Sequence, residues 1–316
     1  MINRIPNKED IYVAYHKIKN NIHRTPVLSS TTINEMVGGK LFFKCENFQR
    51  VGAFKARGAT NAALSLSKDQ LRKGIATHSS GNHAQAIAYA ASQLKSNAYV
   101  VMPNNSPRVK INAVEGYGAE IIFCEPTLEA RERELKNIVK KTGAYFIHPY
   151  NDYDVIAGQA TAAFELFDQV ESLDVIITPV GGGGLLSGTC LARNYFSVDT
   201  KIYAGEPEGA SDAFKSLEKG EIVPSINPDT VADGLLTSLG TLTFPIIQKN
   251  IEKIILVTDK EIIIAMRLIW ERMKIIVEPS AAVSLAAVIK NKESLKNLRI
   301  GLILSGGNVD LNHLPF

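Results

Sequence analysis

Residues 46–58 read Glu46-Asn-Phe-Gln-Arg50-Val-Gly-Ala-Phe-Lys55-Ala-Arg57-Gly58, directly after an apolar run, Leu41-Phe-Phe-Lys-Cys45. The run at 41–45 reads as a buried strand and residues 58–66 as a helix, so a single lysine falls in the turn between them. Most lysines at a helix start are simply solvated. This one is flanked by Ala53 and Phe54 and bracketed by Gly52 and Gly58, which let backbone approach closely. An ammonium among apolar neighbours gives up its proton more easily, and the neutral amine can form a Schiff base with a carbonyl.

Outward from this stretch, strands and helices alternate. Strands are expected at 74–78, 97–102, 119–124 and 144–147, with helices at 83–94, after Pro107 and at 128–140. A second series follows: a helix at 156–167, strands at 174–180, 202–206, 253–257 and 300–304, and helices starting near 185, 260 and 280. Upstream, residues 9–20 have helical spacing and 25–31 read as extended. Alternation at this spacing indicates βαβ units and parallel sheets, hence an α/β fold with a cleft between two units. No linker rich in Pro, Gly or Ser separates the series.

A chain of 316 residues can form one large domain or two moderate ones. Hydrophobic content of 45%, charged content of 21% and a net charge of +3 fit a water-soluble protein. No Lys/Arg run forms a nucleic-acid footprint, and Lys136, Lys140 and Lys141 read as a solvated helix end. Residues 1–10 lack a secretory apolar core and no apolar run is long enough to span a bilayer, so a cytoplasmic location without a membrane partner is expected. Cys45, Cys124 and Cys190 lie in apolar segments without metal-ligand spacing and are expected to be buried free thiols.

Val180-Gly-Gly-Gly-Gly-Leu185-Leu-Ser-Gly188 follows an apolar strand and opens a helix. Gly181, Gly182, Gly183, Gly184 and Leu185 expose successive N–H groups at the positive helix end, which suits a phosphate better than a flexible turn. The dinucleotide fingerprint fails because Leu186 and Ser187 stand where glycine is needed, and a Walker A loop fails because Thr189-Cys190 replaces Lys-Ser/Thr. A single phosphate is therefore favoured over a nucleotide chain. His78-Ser79-Ser80-Gly81-Asn82-His83 is a second polar strand-to-helix turn, able to hold an anion and to place Ser79 or Asn82 as a helix cap.

Taken together, the Lys55 stretch, the glycine run, the Ser-Ser-Gly-Asn-His turn and Leu304-Ser305-Gly-Gly-Asn308 resemble, in order and over nearly the whole chain, the fold-type II pyridoxal-phosphate enzymes. That group contains threonine dehydratase, serine racemase and tryptophan synthase β. The resemblance implies two three-layer α/β domains with the site between them, a large one from residues 1–71 and 149–316 and a small one from 72–148. It implies that Lys55 holds pyridoxal 5′-phosphate beside Phe54, that the glycine loop grips its phosphate, that Asn82 contacts the ring hydroxyl, and that Ser305 meets the pyridine nitrogen. A neutral hydroxyl there leaves the ring a weaker electron sink, compatible with both reprotonation and β-elimination.

The substrate carboxylate would lie on Ser79, Ser80, Gly81, Asn82 and His83. Dehydratases of the group usually spell this turn with alanine, racemases with the Ser80 found here, so Lys55 and Ser80 would serve opposite faces of the substrate. Glu206-Pro-Glu-Gly-Ala210-Ser-Asp212 alone reads as an acidic turn; within the resemblance Glu206, the Ala210 carbonyl and Asp212 match a divalent site for Mg²⁺, or Ca²⁺ or Mn²⁺. Arg131 falls where racemases carry an arginine near the substrate, and Gln85, Tyr117, Lys274 and Asn308 where mammalian ones bind ATP between subunits of a homodimer. His148-Pro-Tyr150-Asn departs toward the dehydratase spelling.

The resemblance implies an enzyme that interconverts L- and D-serine and also eliminates to pyruvate and ammonia. The alternatives are an L-threo-3-hydroxyaspartate ammonia-lyase or an L-threonine dehydratase. A β-replacement synthase is disfavoured by the Glu206/Asp212 pair, and a non-catalytic metabolite sensor by the presence of Lys55.

Overall fold

Ten strands form two sheets in the computed structural model, which describes residues 1–316 except Pro107. They are β1 (Val27–Leu28), β2 (Lys40–Cys45), β3 (Ile75–His78), β4 (Ala98–Pro103), β5 (Glu120–Cys124), β6 (Tyr145–Phe146), β7 (Val175–Pro179), β8 (Lys201–Pro207), β9 (Lys253–Val257) and β10 (Arg299–Leu304). The larger sheet runs β1-β2-β10-β7-β8-β9 and the smaller β5-β4-β3-β6. Every pairing is parallel except β1 with β2. Helices cover both faces of the larger sheet, which is why β7 and the 300–304 part of β10 are buried throughout and read as unbroken apolar runs.

β10 lies between β2 and β7, with Leu304 opposite Cys45. The carboxyl ends of three neighbouring strands therefore share one edge of the sheet. From that edge leave the Lys55 segment, Ser305 and the glycine run, the arrangement in which open α/β sheets hold ligands.

Lys55 is the first residue of the helix Lys55–Leu64, not part of a preceding turn. Two short 3₁₀ turns, Glu46–Phe48 and Arg50–Gly52, fill the interval after β2. Gly58, expected at the helix boundary, lies inside the helix because the helix Tyr153–Gln169 crosses there: a Cβ on Gly158 would lie 2.7 Å from the Gly58 Cα. The Tyr153 helix also starts earlier than expected, since the Asp152 side chain accepts the N–H groups of Asp154 and Val155. Helices Thr31–Val37 and Lys68–Lys73 were not foreseen from the spacing. The helix expected after Pro107, a residue outside the described ones, runs Arg108–Gly116.

A fully buried ionic cluster ties these elements together beneath the site. Arg57 donates to Glu46 at 2.7 and 2.8 Å and to Glu165 at 2.8 Å through each terminal nitrogen, and Lys44 donates to Glu165 at 2.6 Å. Two cations meet two carboxylates, so no net charge is buried. Cys45, Cys124 and Cys190 are buried and free as expected. Among the described residues no helix is long and apolar enough to cross a membrane.

Candidate functional site

Lys55 Nζ donates to the Pro149 carbonyl at 2.9 Å and lies 5.1 Å from the centre of the Phe54 ring. Burial pulls its pKa down from 10.5 to about 8, against an opposing pull from Glu278. The preceding backbone is held to the end of β10: the Phe54 N–H donates to the Ser305 carbonyl at 3.0 Å, and Ala53 bridges Gly306. Ser305 itself is buried.

The glycine run leads into the helix Gly184–Phe196, whose cap, Gly183, has φ +86° and no side-chain hydrogen bond. Among the described residues no acceptor takes the N–H groups of Gly181, Gly182, Gly183, Gly184 or Leu185. Five successive free donors at a helix N-terminus make an anion cradle. Tyr150 lies against it so closely that a Cβ on Gly182 would be 2.3 Å from the ring. Because Tyr150 follows Pro149, the acceptor of Lys55, the lysine and the cradle adjoin.

The turn after β3 supplies a second uncapped helix start. Gly81 is the cap of the helix Asn82–Gln93 and makes no side-chain bond, so neither Ser79 nor Asn82 caps it; the Ser79 hydroxyl instead accepts the Gly81 N–H at 3.3 Å. The Asn82 amide donates to both oxygens of Glu278 at 2.8 and 3.1 Å and accepts from Asn308 Nδ2 at 2.8 Å. Asn308 also donates to the Val51 carbonyl at 2.7 Å. Residues from both sheets and from the lysine segment thus meet at Asn82.

Sequence reasoning missed Glu278, which is buried and pushed up to about 7, first by burial and then by Asp233. Its signal was a lone carboxylate in Ile275-Ile-Val-Glu278-Pro, where it stands at the cap of the helix Pro279–Lys290. His83 is buried with its Nε2 3.3 Å from the Ile147 carbonyl, so only its main-chain N–H remains for an anion. His148, lowered to about 3 by burial and by His78 and Lys55, is neutral; its Nδ1 accepts the N–H groups of Tyr150 and Asn151. Arg131, whose Nε donates to the Thr127 carbonyl at 3.4 Å, has no carboxylate partner among the described residues and adds to burial in lowering the pKa of His78.

Elsewhere, Glu206, buried near the end of β8, has a carboxylate that accepts the Ala213 and Phe214 N–H groups at 2.7 and 2.9 Å. Asp212, the first residue of the helix Asp212–Lys219, is buried and both its carboxylate oxygens lack a hydrogen-bond partner. Burial pushes Glu206 up to about 8 and Asp212 to about 6. Ala210 is buried in the turn between them. Among the described residues no three His, Cys, Asp or Glu side chains cluster as metal ligands, so a cation here would complete its shell with carbonyls and water. Gln85 lies one turn beyond Asn82, Tyr117 packs on Tyr89 of the same helix with rings 5.8 Å apart, and Lys274 is exposed as the left-handed cap of the helix Asp259–Met273.

Two helix-covered α/β sheets with a desolvated lysine between two uncapped helix starts define a cleft enzyme of the α/β class. A profile described as "Pyridoxal-phosphate dependent enzyme" matches residues 18–306, and the chain belongs to that family, with the fold-type II architecture. It is 52% identical over 312 residues to serine racemase from Dictyostelium discoideum, covering 97% of this chain and 96% of that protein. It is 48% identical over 312 residues to beta-hydroxyaspartate dehydratase from Paracoccus denitrificans, covering 99% of each. The solved structure of maize serine racemase superposes with a TM-score of 0.96 at 44% identity, covering 98% of this chain and 95% of that one.

Proposed function

We propose that this enzyme interconverts L- and D-serine and, in competition, eliminates water from serine to give pyruvate and ammonia. The observation that carries the reading is the lysine whose pKa lies near 8 at the junction of the two anion cradles. The full-length likeness to serine racemases supports serine as substrate.

Pyridoxal phosphate, when bound, supplies a carbonyl and an electron-withdrawing ring that acidifies the substrate Cα–H. The free N–H groups of Gly181 to Leu185 suit its phosphate, and Lys55 would hold it covalently with Phe54 alongside. Asn82 would meet the ring hydroxyl, oriented by Glu278 and Asn308. Ser305 would offer the ring nitrogen a neutral hydroxyl. Ser79, Ser80, Gly81, Asn82 and His83 would bind the substrate carboxylate, with the Ser80, Asn82 and His83 N–H groups free for it while the Ser79 N–H stays on the Val101 carbonyl. Lys55 would take the α-proton from one face and Ser80 return one to the other. The division into residues 1–71 with 149–316 and 72–148 belongs to this reading.

The orphaned Asp212 oxygens beside Glu206 support a divalent cation, most simply Mg²⁺, with the Ala210 carbonyl as a third ligand. In the same reading the enzyme is a homodimer with ATP bound between subunits through Gln85, Tyr117, Lys274 and Asn308. Asn308 touches Asn82, which supports a route from such a site to the cleft; sedimentation and ATP titration of the racemase rate check both.

A hydroxyaspartate ammonia-lyase is the second reading, favoured by Arg131, a cation without a carboxylate partner, and by the Paracoccus denitrificans relative. Holoenzyme with Mg²⁺ is given L-serine, L-threonine and L-threo-3-hydroxyaspartate, and keto acid and enantiomers are followed, with Ser80→Ala in parallel. D-Serine from the parent, lost in Ser80→Ala while pyruvate persists, is expected. Keto acid alone, fastest from hydroxyaspartate, overturns the racemase reading.

A further inference from the structure

Lys110 and Asp233 are the only ion pair among the described residues that joins residues 75–146, which carry the smaller sheet, to the rest of the chain. Lys110 comes from the helix Arg108–Gly116 behind β4, and its Nζ lies 3.9 Å from where a Cβ on Gly81 would stand. Asp233 opens the 3₁₀ turn Asp233–Leu235, whose Leu235 Cα would be 2.9 Å from a Cβ on Gly181. The pair therefore spans from the turn at Gly81 to the glycine loop, over the mouth of the cleft. Lys110 is 17% exposed and Asp233 49%, so a half-buried ammonium meets a carboxylate that stays in water, and the contact has the strength of a surface ion pair. Behind Asp233, the Gly234 N–H donates to Ser280 Oγ at 3.0 Å, which fixes the turn to the Pro279 helix.

We propose that Lys110 and Asp233 clasp the mouth of the cleft, and that Lys110 is a positioning residue that registers the Ser79–Asn82 turn against the glycine loop. The clasp rests on the reading of that turn as the substrate-carboxylate site. With it closed, the free N–H groups of the two cradles keep a fixed spacing. With it open, the substrate must close the cleft from its own binding energy, so loss of the clasp raises KM and leaves kcat nearly unchanged.

Lys110→Met and Asp233→Asn are each expected to raise KM for L-serine about threefold with kcat essentially unchanged, the scale of one surface ion pair. High salt raises KM of the parent and leaves the two variants flat. Charge is separated from shape by Lys110→Cys. Because Cys45, Cys124 and Cys190 are buried, bromoethylamine alkylates the new thiol and restores an ammonium of nearly lysine length. The parent KM should return, whereas iodoacetamide gives no recovery. KM unchanged in both single variants, or recovery with iodoacetamide as complete as with bromoethylamine, overturns the clasp.

Hydrogen exchange provides a readout independent of turnover: segments 79–85 and 233–235 should exchange at least threefold faster in Lys110→Met than in the parent. Equal exchange overturns the proposal. If the parent turns over none of the amino acids tested, the functional reading has failed, and exchange still decides the clasp.

Discussion

Removing divalent cations should destabilise this enzyme in alkaline buffer and hardly at all in mildly acidic buffer. Burial raises Glu206 from 4.5 to about 8. Between those values the folded chain binds a proton that the unfolded chain has released, so stability is fully present below about pH 4.5 and is lost as pH rises through about 8. At 1.36 kcal/mol per pKa unit, the rise of about 3.5 corresponds to about 5 kcal/mol lost by pH 8.5 for Glu206 alone. Asp212, raised from 3.8 to about 6, adds in the same direction over a lower window. A cation on the unpartnered Asp212 oxygens and on Glu206 would offset this cost. For a chain of 316 residues, about 5 kcal/mol corresponds to roughly 7 °C in Tm. Thermal unfolding with EDTA against excess Mg²⁺ should show a gap of several degrees at pH 8.5 and about one degree or less at pH 5.5. Glu206→Gln should abolish the gap. A gap that is the same at both pH values, or one that survives Glu206→Gln, refutes the assignment.

Cofactor uptake by the cofactor-free enzyme should quicken as pH rises, with a midpoint at about 8, because only the neutral Lys55 amine attacks; at pH 7 about one molecule in ten has it, roughly 300 times the share of an ordinary lysine. Stopped-flow absorbance checks this, and a midpoint above about 10 sinks it. Arg57→Met should cost about 3–5 kcal/mol in urea unfolding, since Glu46 and Glu165 would remain buried with Lys44 alone. Gly182→Ala should weaken cofactor binding at least tenfold, because the new methyl would lie 2.3 Å from the Tyr150 ring and force either the ring or the loop to move. Equilibrium dialysis measures it, and unchanged affinity would contradict the packing.

What the sequence makes legible here is local. The lysine stretch, the four glycines and the turn at Ser79 are contiguous, and their small residues beside apolar runs announce where the backbone must come close to something. The strand periods are legible for the same reason, since both faces of β7 and β10 are buried and leave no polar interruption. Strand order is not legible: nothing near Leu41 says that its neighbour is Ile300. Glu278 escaped because its partners, Asn82 and Asn308, lie 196 and 30 residues away, and a lone glutamate before a proline reads as an ordinary cap. The start of the Lys55 helix was placed three residues late, at Gly58, because the constraint on that glycine, the crossing at Gly158, is 100 residues distant. Arg57, Lys44, Glu46 and Glu165 likewise look like surface charges until the fold pairs them in the interior.

The position of β10 has a consequence for synthesis. While this chain is being made, β2 has only the two-residue β1 beside it, and the Phe54 N–H has no Ser305 carbonyl to meet, until residues 299–305 emerge from the ribosome some 250 residues later. Lys55 is translated early, yet the strand that fixes its neighbour Phe54 is the last one to be made. The burial that lowers the Lys55 pKa is therefore incomplete in a chain whose last strand has not yet been made.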